Sequence, residues 1–128
     1  MSDLNSAHNR VVWCDIPVAD LARATAFYRA VLGIEVHAAD FDGTAFAVLA
    51  HDQGNGGCLI PHPGYAGCAD GPLVYMNVDR RIRDAVAQAV AHGGQVLADV
   101  HPIGPHGCRA LVLDSEGNRI ALHSTVDA

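Results

Sequence analysis

The chain is short of several things, and each shortage removes a class of protein. Of its 128 residues only 5% are aromatic and 17% charged, and Trp13 is the single tryptophan, so a core must be built from Ala, Val, Leu and Ile. The longest unbroken apolar run, Ala45 to Ala50, is six residues. A membrane-spanning helix needs about 20, which argues against a membrane partner. The four cysteines, Cys14, Cys58, Cys68 and Cys108, form no C-x-x-C pair and read as free thiols in a chain large enough not to need staples. No two Cys or His fall at paired-ligand spacing on a recognisable helix or knuckle, although eight histidines are available. Basic residues are scarce as well: eight Lys plus Arg against fourteen Asp plus Glu leave a net charge of −6. That balance repels phosphate backbones and anionic lipid surfaces and speaks against nucleic acid. The cluster Arg80, Arg81 and Arg83 lies beside Asp79 and Asp84 and reads as a solvated helix face. The polar N-terminus, MSDLNSAHNR, lacks the layout of a secretory signal and fits a cytoplasmic protein.

What is present amounts to one domain, large enough to bury a real core, in which half the residues are hydrophobic. It contains an internal repeat. VVWCDIPVADLARATAFYRAVLGIEV, from Val11, is echoed by GPLVYMNVDRRIRDAVAQAVAHGGQV, from Gly71, at an offset of 60. Val18 falls on Val78, Gly33 on Gly93, Val36 on Val96 and Gly57 on Gly117. In each half an apolar, β-branched run ends near an Asp and an amphipathic helical stretch follows. Asp20 is the expected N-cap of a helix from Leu21 to about Leu32, with Leu21, Ala24, Tyr28 and Leu32 near one face and Gly33 ending it. In the second half Ile82, Ala85, Val86, Ala89 and Val90 recur at helical spacing before Gly93-Gly94.

Three strands are expected after each helix: around 35–38, 44–49 and 57–60, then around 95–98, 109–113 and 119–123. The last two are joined by Asp114-Ser115-Glu116-Gly117-Asn118, whose Gly and Asn suit a turn of positive φ. The expected architecture is therefore α+β: two βαβββ modules, about 11–60 and 71–124, forming a curved mixed sheet with an open trough. The Gly- and Pro-rich stretch 61–72 joins them and is long enough to let two chains exchange halves. One helix covers one face of a four-stranded unit, so the other face needs a second copy, and a homodimer is expected.

IPVADLARATAFYRAVLG resembles the first strand-helix motif of the glyoxalase/bleomycin-resistance/extradiol-dioxygenase superfamily, also called vicinal oxygen chelate proteins, and LVLDSEGNRIALHS resembles its closing strand-turn-strand motif. The similarity runs over residues 11 to 124. It is strongest to the subgroup described as predicted relatives of lactoylglutathione lyase, which opens on V-W-x-x-I-P-V-x-D. Members that do chemistry mostly hold one divalent metal in the trough. Carried over residue by residue, the ligand positions implied by the resemblance are Trp13, Leu73 and Ala121, with a fourth within Gly57 to Ile60, and none supplies a nitrogen or oxygen donor. No metal and no cofactor is expected at the usual site. A register slip of two residues would substitute Asp15, Tyr75 and His123, a mixed set.

Strand side chains alternate, so Trp13 and Asp15, Leu73, Tyr75 and Asn77, and Ala121 with His123 should share the trough face. That is an apolar floor with a polar edge, suited to a small organic molecule packed against Trp13 and Tyr75. The alternative for Trp13, Leu73 and Tyr75 is that they fill the trough as core. Asp15 and His123 are the candidate acid/base pair. His101 and His106, bracketing Pro102 to Pro105, and His62 between two prolines read as loop residues. Cys58 and Cys108 each follow a glycine before a strand, a symmetry that points to repeat ancestry rather than to a nucleophile. Three functions follow: a metal-free small-molecule-binding protein, which the residues favour; a lyase, isomerase or dioxygenase with an atypical metal site or acid/base chemistry; and an interaction domain with a filled trough.

Overall fold

A computed structural model describes residues 9–128, so the expectation drawn from the N-terminal MSDLNSAH lies outside the described residues. The chain runs β1 (Asp15–Val18), α1 (Leu21–Leu32), β2 (Val36–Phe41), β3 (Thr44–Leu49), β4 (Cys58–Pro61), then β5 (Val74–Asn77), α2 (Ile82–Ala91), β6 (Gln95–Pro102), β7 (Cys108–Leu113) and β8 (Arg119–Ser124). The strands form two sheets of matching order, β1-β4-β3-β2 and β5-β8-β7-β6. In each, the first strand pairs parallel to the last and the other pairs are antiparallel. The two βαβββ modules and the α+β class are as the repeat implies.

Helix α1 begins where Asp20 accepts a hydrogen bond from the Arg23 N–H at 3.0 Å, and it ends at Gly33, whose φ of 65° is left-handed. Its apolar stripe buries Ala24, Phe27, Tyr28, Val31 and Leu32, while Leu21 packs at the edge. Helix α2 buries a narrower stripe, Ile82, Ala85 and Ala89. Val90, expected on that face, is 56% exposed. It lies about 80° around the helix from Ile82, at the rim of the stripe.

Strand β1 is shorter than the apolar run suggests, because its only partner, β4, is four residues long. Residues 11–14 lead into it without joining the ladder beyond one bond, from the Cys58 N–H to the Cys14 carbonyl at 2.9 Å. Gly57 is required there. A Cβ at that position would lie 2.5 Å from the Cys14 oxygen. Strand β6 is longer than expected, reaching Pro102 through two register shifts, between Val96 and Ala98 and between Ala98 and His101. His101, read as a loop residue, is thereby a strand residue opposite Arg109, while His106 sits in a short 3-10 turn. Of the closing turn, Gly117 takes the positive φ and Asn118 does not.

The modules share one core, which runs from Ile16 and Phe27 in the first to Ile82 and Leu122 in the second. They meet through α1, which packs against α2 and is held at both ends by the second module. At its C-terminus the Arg81 guanidinium donates to the Val31 and Ala30 carbonyls at 2.5 and 3.3 Å, satisfying acceptors that a helix end leaves open. At its N-terminus the Glu116 carboxylate accepts the Ala19 and Asp20 N–H groups at 3.0 and 2.9 Å and two bonds from Arg23 at 2.7 and 2.8 Å. Asp114, in the same turn, accepts the buried Tyr28 hydroxyl at 2.5 Å and the N–H groups of Glu116 and Asn118 at 2.8 Å each. Among the described residues no helix is long and apolar enough to cross a membrane.

Candidate functional site

Parity along the strands sorts side chains to two faces. Ile16, Val18, Met76, Val78, Ile120 and Leu122 are buried towards the helices. Asp15, Tyr75 and Asn77 are exposed and His123 is half-buried on the other face, and the register sets Tyr75 opposite Ala121 and Asn77 opposite His123. Burial alternates along β1 and β5, whereas on β8 Ile120, Ala121 and Leu122 are all buried, so Ala121, expected on the trough face, is covered.

Two cavities border these residues. A cavity of about 660 Å³ lies between the lead-in to β1, the end of α1, the loop after β3, and β5. Trp13, Leu32, Leu49, His51, Met76 and Tyr75 are among its walls, and most of the lining is apolar. A second, of about 500 Å³, is lined by Tyr75, Ile103, His106, Arg109 and His123. Tyr75 borders both. Trp13 and Asn77 line the first cavity and His123 the second, while Asp15, Leu73 and Ala121 line neither.

At the first cavity the Trp13 indole is fixed on two sides. Its N–H donates to the Cys58 sulfur at 3.4 Å, and its ring meets His51 edge-on with centroids 5.5 Å apart. The Cys58 thiol in turn donates a hydrogen bond to the Asp15 carboxylate at 3.2 Å. Burial pushes the Cys58 thiol up to about 11, and the neighbouring carboxylate adds to the rise, so at neutral pH it is a thiol and not a nucleophilic thiolate. Asp15 is thus engaged by Cys58, and the Nε2 of His123 lies 2.7 Å from the His106 carbonyl. The two candidate acid/base residues do not hydrogen-bond each other, and each is oriented by a different neighbour.

The positions at which the resemblance implies metal ligands do not fit a metal. The Trp13 nitrogen is a bound donor, Leu73 offers no donor atom, and Ala121 is fully buried. In the alternative register, Tyr75 accepts a hydrogen bond from the Arg109 guanidinium, a cation that would repel a second one. Among the described residues no three His, Cys, Asp or Glu side chains are grouped to hold a metal ion. Arg109 is the residue that sequence reasoning missed. The signal was available, since Arg109 alternates with the buried Cys108 and Ala110, but it needed the same parity argument extended to β7.

Residues 10–49 match the family model described as bleomycin resistance protein-like, N-terminal. Among solved structures, a glyoxalase/bleomycin resistance protein/dioxygenase family enzyme from Burkholderia phytofirmans superposes with a TM-score of 0.68 at 19% identity, over 88% of this chain and 96% of that one. The chain has the glyoxalase-like fold. The same fold relates it to the glyoxalase I of Leishmania major, with a TM-score of 0.66 at 21% identity over 91% of this chain and 87% of that one. It also relates it to a fosfomycin resistance protein from Listeria monocytogenes, with a TM-score of 0.65 at 14% identity over 91% and 93%. No curated protein matches the sequence significantly. The glyoxalase-like fold is thus shared with proteins of different named activities, and the chemistry has to be read from the side chains.

Proposed function

We propose that this glyoxalase-like protein binds a small organic molecule in the cavity beside Trp13, without a metal, and works as a homodimer. The observation that carries the reading is the cavity itself. About 660 Å³ falls within the range of small-molecule sites, and its apolar walls with one oriented indole suit a ligand held by ring packing and area burial. An open volume of this size also speaks against a trough filled as core. Where the superfamily resemblance implies a hydrated ion, this chain offers an aromatic surface, and recognition moves from coordination to stacking.

The test is a thermal-shift screen of small aromatic and aliphatic compounds, run with and without divalent cations. Compounds that stabilise the protein equally in both conditions are expected. Stabilisation that requires an added cation, or one equivalent of bound metal by elemental analysis after dialysis, would overturn the metal-free reading. Burying ~100 Å² of apolar surface against the indole contributes on the order of 2.5 kcal/mol before ordering costs. Trp13→Ala is therefore expected to weaken a stabilising compound by roughly ten- to a hundredfold. Since Trp13 is the single tryptophan, its emission reports the site directly. A compound that binds without changing that emission and is indifferent to Trp13→Ala would place binding elsewhere.

A further inference from the structure

We propose that the second cavity, on the open face of the β5-β8-β7-β6 sheet, is an oxyanion-binding site built around Arg109. It takes the carboxylate or phosphate group of a small molecule and stands independently of what occupies the larger cavity.

The case begins with how the chain places its cations. Arg23, Arg81 and Arg83 each lie 2.6–2.7 Å from a carboxylate. Among the described residues no carboxylate pairs with Arg29, Arg109 or Arg119. Arg29 and Arg119 donate to the main-chain carbonyls of Val36 and Gly71, whereas Arg109, half-buried on an acidic protein, lines a cavity. Register places it in a cross-strand row between His101 on β6 and His123 on β8. Its Nε donates to the Nε2 of His101 at 3.1 Å, and the Nδ1 of His101 lies 2.8 Å from the Asp99 carbonyl. A carbonyl can only accept, so the His101 proton resides on Nδ1 and Nε2 offers its lone pair to the arginine. One guanidinium edge is thus anchored by a neutral imidazole, and its charge is left uncompensated.

The other anchor is Tyr75, whose hydroxyl oxygen accepts from Arg109 Nη1. Having accepted, that hydroxyl still has its own proton to donate. The remaining N–H groups of Nη1 and Nη2 and the Tyr75 O–H therefore border a cavity of about 500 Å³ as donors around one fixed positive charge. A guanidinium held by two partners loses little freedom on binding, and its planar fork suits two oxygens of one oxyanion. The local field thus selects an anionic ligand here despite the overall charge of −6.

The experiment titrates the full-length protein with inorganic phosphate and, separately, with acetate at constant ionic strength, using chloride as the control. The Arg109 Nε–H resonance and the Tyr75 and His123 signals are followed by NMR. Saturable shifts confined to these residues are expected with at least one oxyanion and not with chloride. Tighter binding of phosphate identifies a phosphoryl or phosphonyl group as the natural headgroup, and tighter binding of acetate a carboxylate; either supports the site. Arg109→Gln should weaken binding at least tenfold and Tyr75→Phe several-fold, with unchanged circular dichroism in both. Should Arg109→Gln fail to fold, Tyr75→Phe carries the test alone. Shifts that follow chloride equally, the absence of saturation with both oxyanions, or variants that bind like the parent would overturn the proposal.

Discussion

Residues that look chemically promising in this chain are mostly committed already. Cys58 follows a glycine ahead of a strand and lies beside an indole, whose N–H favours the thiolate, and a carboxylate, which together with burial outweighs it. Burial and Asp15 favour the protonated thiol, which lifts the group to about 11. Cys68, by contrast, is exposed. At pH 8 a thiol-specific reagent is therefore expected to modify Cys68 at least tenfold faster than Cys58, read by mass spectrometry of the labelled peptides. Equal rates would show that Cys58 opens readily to solvent. The same committed geometry governs what the sequence could disclose. Which face Asp15, Tyr75 and His123 occupy was legible, because alternation along a strand is local and follows from the backbone alone. What Asp15 and His123 hydrogen-bond was not. Those partners, Cys58 and the His106 carbonyl, come from other elements and depend on cross-strand register.

At the scale of elements, α1 is the member on which both modules depend. Its own cap, Asp20, and its own stop, Gly33, were plain from the sequence. The clamps at its two ends, Arg81 and the Asp114–Asn118 turn, lie roughly 50 and 90 residues away and carried no local mark beyond a turn signature. Strand ends were blurred for a related reason. β1 stops where its partner stops, and β6 runs on because two register shifts keep it paired. The clamp at the N-terminus of α1 has a definite pH dependence. Hydrogen bonds from Arg23, helped by those from the backbone and Ser115, pull Glu116 from 4.5 down to about 2, against a burial effect of opposite sign. A carboxyl held below its unfolded value contributes stability that is fully present above about pH 4.5 and is lost as the pH falls towards 2. Glu116→Gln is expected to lower stability at pH 7 by on the order of 2 kcal/mol, and to flatten the decline between pH 4.5 and 2. Urea melts across that range decide it. A variant with the same pH slope as the parent would show that the clamp contributes nothing to the linkage.

For the whole molecule, the arrangement of layers bears on assembly. Each sheet has a helix on one face only, and the two helices pack on each other, which uses up the apolar stripes of both. Trp13, just ahead of β1, and Tyr75 on the opposite face border a cavity, and among the described residues no element forms a layer over them. Strands β1, β2, β5 and β6 are sheet edges, with main-chain groups on one side that pairing or water must satisfy. A second copy related by a two-fold axis would offer each module the surface the other lacks, because the modules share one fold and a two-fold contact is self-complementary. A stable contact of this kind buries about 800 Å² per partner, a modest share of the 7204 Å² of accessible surface. Light scattering coupled to gel filtration should therefore give twice the chain mass of 13.4 kDa. The dimer should persist on dilution into the low micromolar range, as expected for an interface of ordinary size with an apolar centre. A monomer at millimolar concentration would leave the open faces as binding surfaces within a single chain.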